Sequence, residues 1–237
     1  MRVLLLHAGI ADRRMWARQI AALEAAGHRV AAPDLPGFGV EPLVPPTVDY
    51  VGFAAGLLDE PGAVVGCSFG GRVALELAAA RPDLVARLVL VAPGLASTEW
   101  SEESQAGFAA EEELLERGDL DGAARQQAAM WLAPDAAADV RELTEAMTVR
   151  SYEQQLPVDG QVRGVWPEVS AETRLAELDV PTLVVVGDAD LPELHALAER
   201  IAGALPDAKL QTIPAAGHLP SLERPDELNR LLLDFLQ

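Results

Sequence analysis

Ala63-Val64-Val65-Gly66-Cys67-Ser68-Phe69-Gly70-Gly71-Arg72-Val73-Ala74-Leu75 is an apolar run, a glycine-rich turn, and then apolar residues at helical spacing. Read as structure, it is a buried strand running through a tight turn into a helix. A serine hydroxyl is a poor nucleophile at neutral pH, so a reactive one must stand clear of its sheet and meet a base. A sharp strand-to-helix turn achieves this by straining the serine backbone, and side chains on the flanking residues would crowd so tight a bend. Gly66 and Gly70 relieve that crowding, while Gly71 lets the next helix come close. The helix N-terminus offers free N–H groups and a positive dipole end to a developing oxyanion. Ser68 is therefore the candidate nucleophile. Two other readings compete: a serine helix cap in a glycine-rich turn, and a phosphate loop, which the missing Gly-Lys-Ser/Thr ending disfavours.

Outward from this turn, short apolar runs alternate with helical patterns. Strands are expected at Val3–Leu6, Arg29–Ala32, Ala63–Cys67, Arg87–Ala92, Pro181–Gly187 and Lys209–Ile213. Helices are expected at Met15–Ala26, Tyr50–Leu58, Gly71–Ala80, Leu194–Ala204 and Glu227–Leu236. Several strands read as continuous apolar stretches, as strands covered on both faces do, which predicts an α/β fold with a mostly parallel sheet and helices on both sides. From Gly94 to Leu178 the rhythm breaks. No strand is predicted there, only helices over Glu102–Arg117, Leu120–Leu132 and Ala136–Tyr152. The expected organisation is a core of residues 1–95 and 176–237, with a helical cap of residues 96–175 inserted over one end of the sheet.

Composition sets limits on partners. With 18 basic against 37 acidic residues, the formal charge is −19. That disfavours nucleic acid and anionic membrane surfaces, leaving a small molecule as the expected partner. No apolar run is long enough to span a bilayer and no signal-peptide pattern opens the chain, so the expected location is the cytoplasm. Cys67 is the single cysteine, and the four histidines fall in no metal-binding spacing, so neither a metal nor another cofactor is expected. Cys67 itself lies on the strand side of the turn and reads as a packing residue.

A serine nucleophile needs a base and a group to orient that base. Ile213-Pro214-Ala215-Ala216-Gly217-His218-Leu219-Pro220 places His218 just after a predicted strand, where such sheets gather their ligands. Upstream, Pro181-Thr182-Leu183-Val184-Val185-Val186-Gly187-Asp188-Ala189-Asp190 ends a strand in two aspartates, and either of them gives the chain order nucleophile, acid, base with Ser68 and His218. With these segments the chain resembles the α/β-hydrolase superfamily over nearly its whole length, closest to small capped serine esterases and enol-lactonase-like members. The resemblance implies His218 as general base and Asp190 as the acid, with Asp188 the alternative. It also implies an oxyanion hole from the N–H of Phe69 and an amide of the loop His7-Ala8-Gly9-Ile10, which ends at Trp16. By position that second donor is Gly9, or Ile10 if the loop shifts by one. Ala8 stands where the family usually has glycine. His7 and the Asp34-Leu35-Pro36-Gly37-Phe38-Gly39 loop read as structural supports of the site. Many relatives begin with two further strands. A sheet trimmed of them leaves the strand at Arg29–Ala32 near an edge, a surface through which a homodimer would form if the chain is not a monomer.

The implied chemistry is acyl transfer from an ester or lactone to water through an acyl-enzyme on Ser68. A serine at this position argues against the epoxide hydrolases and dehalogenases of the superfamily, which use a carboxylate. Substrate contacts are expected from Ile10, Trp100, Trp131 and Leu219; Phe108, Met130, Met147 and Trp166 read mainly as cap packing. Arg150 and Arg163 are candidates to hold a substrate carboxylate, although no pattern places them at the site. A thioesterase or acyltransferase would use the same triad, and a slow or non-catalytic ligand sensor could keep the fold.

Overall fold

The computed structural model describes all 237 residues. Six strands form one parallel sheet: β1 (Arg2–Leu6), β2 (Arg29–Ala31), β4 (Gly62–Cys67), β5 (Val85–Val91), β7 (Thr182–Gly187) and β8 (Ala208–Ile213), in the order β2-β1-β4-β5-β7-β8. Successive strand residues face opposite sides, and both sides are covered. Leu4, Leu6, Val64, Leu88, Leu90, Val184 and Val186 fall in one buried cluster. Their neighbours Val3, Leu5, Ala63, Val65, Val89, Val91, Leu183 and Val185 fall in the other. This double burial is why the strand sequences run apolar without alternation. The first face is covered by α2 (Tyr50–Ala55), α3 (Phe69–Ala80) and α7 (Pro192–Ala204), the second by α1 (Ala17–Ala25) and α9 (Pro225–Phe235).

From β1 the chain steps to the edge strand β2 and then crosses to β4, after which every strand adds on the far side. The order therefore reverses between β1 and β4, and the crevice at the C-terminal ends of two such strands is where open parallel sheets bind ligands. The His7 loop leaves β1 and the Ser68 turn leaves β4, so both sit at this point.

Between β5 and β7 come α4 (Glu102–Glu116), α5 (Leu120–Trp131) and α6 (Ala138–Gln155). The segment is not wholly free of strand, contrary to expectation. Arg163–Gly164 forms a two-residue β6 that pairs in parallel with β3 (Thr47–Val48), too short to leave a periodic signal. Ala171–Glu177 is 3-10 helical and is tied to α3 by the buried Glu76, which accepts from Ser170 Oγ (2.7 Å) and Ala171 N–H (2.9 Å). A short α8 (Pro220–Glu223) follows His218. No helix is long and apolar enough to cross a membrane.

Candidate active site

The turn after β4 is as strained as its sequence suggests. Ser68 has φ 51° and ψ −114°, a conformation rarely adopted by residues with side chains. It is fixed on both sides: Ser68 N–H donates to Val91 O at 2.9 Å, and Gly94 N–H donates to Ser68 O at 3.2 Å. The glycines are required by close approach. A Cβ on Gly66 would lie 2.2 Å from Gly70 O, and one on Gly70 would lie 2.3 Å from Leu6 O. Helix α3 starts at Phe69, two residues earlier than the sequence suggests, because Gly70 and Gly71 are helical despite their low propensity.

His218 and Asp190 meet as a buried pair. The carboxylate lies 2.9 Å (Oδ2) and 3.2 Å (Oδ1) from His218 Nδ1, with both side chains almost sealed from solvent. A carboxylate only accepts, so Nδ1 carries the proton and Nε2 is left as a base. Asp188, the alternative acid, is exposed and instead accepts the Ala215 N–H at 2.6 Å, bracing the histidine loop.

The β1 loop comes to the same place. A Cβ on Gly9 would lie 3.6 Å from Phe69 Cβ, so the two proposed oxyanion backbones are adjacent. Phe69 opens its helix and has no intrahelical acceptor for its N–H. His7 is fully buried and spoken for: Nε2 accepts Leu35 N–H at 2.8 Å, and Nδ1 donates to Ala8 O at 2.9 Å. Burial lowers its pKa, which fits a neutral ring. Asp34 buttresses the same corner by accepting from Arg13 N–H (2.8 Å) and Val40 N–H (3.0 Å). Burial drives the Cys67 thiol well above its ordinary pKa, so it stays protonated and packs, with Sγ 3.7 Å from His218 O.

Trp131 stacks on the His218 ring at 4.4 Å, and Trp100 and Phe108 pack edge-on and tilted around Trp131. Ile10 is half-buried and packs against both core clusters, and its carbonyl accepts from Thr148 Oγ1 of α6. Leu219 corrects the expectation of a substrate contact. It has no exposed surface and is packed with Ala216, Leu228 and Leu232 in the core. Met147 is likewise core. Arg150 is committed elsewhere, donating to Gly39 O and pairing with Glu153. Arg163 is exposed. The wide charged concavity flanked by Arg125, Glu145 and Arg150 lies on the outer face of α5 and α6 and contains none of Ser68, Asp190 or His218.

One organising residue escaped the sequence reading. Glu223, nearly buried, accepts three backbone N–H groups: Ala133 (2.7 Å), Gly217 (3.1 Å) and Leu219 (3.1 Å). Two flank His218 and the third follows α5. His218 N–H donates to Trp131 O at 2.8 Å, and a Cβ on Gly217 would lie 2.6 Å from Ala133 N. The histidine loop and the end of α5 are thus one locked unit around a carboxylate. In sequence Glu223 stands beside Arg224 and close to Asp226 and Glu227, so nothing local marks it as a buried carboxylate.

A family model described as the alpha/beta hydrolase family matches residues 3–231. The chain belongs to that family. A pimeloyl-[acyl-carrier protein] methyl ester esterase of Aromatoleum aromaticum is 32% identical over 253 residues, covering 99% of this chain and 98% of that protein. A 2-hydroxy-6-oxo-6-phenylhexa-2,4-dienoate hydrolase of Burkholderia cepacia is 28% identical over 272 residues, 99% of this chain and 87% of that one. Among solved structures, a thermophilic esterase from Thermogutta terrifontis superposes with a TM-score of 0.77 at 25% identity, covering 100% of this chain and 89% of that chain. The enol-lactonase of Burkholderia xenovorans LB400 does so with a TM-score of 0.79 at 23% identity, over 99% and 90% of the two chains, and speaks to the fold alone. These full-length sequence relatives are hydrolases, and this alpha/beta hydrolase is similar to them from end to end.

Proposed function

We propose that this alpha/beta hydrolase cleaves an ester or lactone of a small, largely apolar acyl substrate through an acyl-enzyme on Ser68. The observation that carries the reading is the buried Asp190–His218 pair, with Nδ1 engaged and Nε2 left as an acceptor with no protein donor, at the end of the sheet from which the Ser68 turn leaves. In the proposed sequence His218 Nε2 takes the Ser68 proton as Oγ attacks the carbonyl carbon. The N–H groups of Phe69 and Gly9 stabilise the resulting oxyanion. His218 then protonates the leaving alcohol, and in the second half it deprotonates the water that releases the acid. Asp190 stabilises the imidazolium formed in each half. Trp100 and Trp131 supply an apolar wall beside His218.

Turnover of p-nitrophenyl acetate and butyrate by the wild type and by Ser68→Ala tests this reading. Release by the wild type that is lost in Ser68→Ala supports it. No Ser68-dependent release on either ester sinks it. An acyltransferase or thioesterase would use the same residues, and a competing alcohol or a thioester substrate in the same assay separates those chemistries. A ligand sensor would show binding with little or no turnover.

A further inference from the structure

We propose that the substrate carries a carboxylate, held by Arg72 with Tyr50 and Trp166 beside the nucleophile turn; this deepens the ester-hydrolase reading and rests on it. Of the 17 arginines (18 basic residues less Lys209), ten lie within 4.0 Å of a carboxylate. Four more donate to backbone carbonyls. That leaves Arg72, Arg125 and Arg163, and of these only Arg72 is half-buried. A guanidinium partly removed from water with no acceptor is costly, and it is conspicuous in a chain with 37 acidic residues to offer.

Its position is close to the proposed chemistry. Arg72 follows Ser68 by one helical turn on α3, and its guanidinium lies 3.8 Å above the Trp166 ring. Trp166 meets the Phe69 ring edge-on at 6.1 Å, Tyr50 meets Phe69 edge-on at 4.9 Å, and Tyr50 and Trp166 are 5.9 Å apart. The cluster is thus built around the side chain of the residue whose N–H is the proposed oxyanion donor. Stacking on an indole leaves the in-plane N–H fork of the guanidinium free for a carboxylate.

The neighbouring donors are free as well. Tyr152 donates to Glu111 and Trp131 to Gln127, but the Tyr50 hydroxyl and the Trp166 indole N–H meet no protein acceptor. Burial raises the Tyr50 pKa, which keeps the phenol a donor. One cation and two neutral donors suit a single negative charge. A phosphate dianion would need more positive charge than this acidic molecule gathers there.

The test compares kcat/KM for methyl hydrogen glutarate and 3-acetoxypropionate, which carry the carboxylate on the acyl or the alcohol side, with methyl butyrate. The wild type should favour one charged ester over the neutral one by about tenfold or more, and Arg72→Met should abolish that preference while Arg72→Lys keeps part of it. Equal use of charged and neutral esters, or a preference unchanged in Arg72→Met, overturns the proposal. Calorimetry tests the subsite even if no ester is turned over, an outcome that would sink the hydrolase reading alone. Glutarate should bind the wild type with Kd of about 1 mM or tighter and glutaramide should not. No glutarate binding, or binding undiminished in Arg72→Met, overturns the subsite.

Discussion

At the scale of single residues, the site depends on groups that hold others in place. Asp190 fixes which nitrogen of His218 carries the proton. Asp190→Asn keeps the shape but offers an amide N–H toward Nδ1, favouring the wrong tautomer. The variant should fold normally by circular dichroism while kcat on p-nitrophenyl butyrate falls by about 10³–10⁴. A kcat within a few-fold of wild type would remove Asp190 from the proposed chemistry. Glu223 has a different task. Burial pushes its carboxyl up from the ordinary range, against three N–H donors that favour the charged form. Glu223→Ala leaves those donors buried and unmatched, which should cost about 3 kcal/mol, or roughly 6–12 °C in Tm for a chain of this size. An unchanged melting curve would contradict the locked loop.

At the scale of elements, the helical segment between β5 and β7 is anchored at several separate points. Ser101 N–H and Ser104 Oγ, at the start of α4, both donate to Glu193 at 2.8 Å, in the first turn of α7. Burial opposes ionisation of Glu193, but these hydrogen bonds outweigh it and hold the carboxyl at about 2, below its ordinary 4.5. A carboxyl whose pKa is lowered by folding stabilises the folded state fully above the unfolded value, and that contribution fades as the pH falls toward the folded one. Glu193→Gln should therefore lower Tm at pH 6, with the gap to wild type closing as the pH drops from 4.5 toward 2. A pH-independent gap would show that the tether is not electrostatic. Strands of this kind are legible from sequence because burial on both faces makes each an unbroken apolar run, as Thr182–Gly187 shows. The motifs around Ser68, Asp190 and His218 were legible because strained turns demand particular residue types. Strands β3 and β6, with two residues each, carry no period to read. Leu219, Glu223 and Arg72 could not be placed because their roles depend on partners distant in the chain or on partners they lack. An apolar residue after a catalytic histidine looks the same in sequence whether it faces substrate or core.

At the scale of the whole molecule, the site exists only because the sheet reverses its strand order between β1 and β4. That reversal opens the crevice in which the His7 loop and the Ser68 turn meet, and β7 and β8 deliver Asp190 and His218 to the same edge. The net charge of −19 acts over the entire surface, where self-repulsion disfavours the compact state. Added sodium chloride screens it, so Tm should rise between low salt and about 0.15 M, where the screening length falls to about 8 Å. A flat or falling Tm would mean that local pairs dominate over the overall field. Ser68 lies more than a hundred residues before both Asp190 and His218, so the proposed triad can assemble only in the folded chain. The most direct test of the proposed chemistry is therefore labelling by a fluorophosphonate, read by mass spectrometry of the peptide containing Ser68. The account predicts stoichiometric modification at Ser68 in the native protein, none in Ser68→Ala or in urea, and strongly slowed modification in His218→Ala. Absence of labelling in the native protein, or labelling that persists in Ser68→Ala, would contradict it.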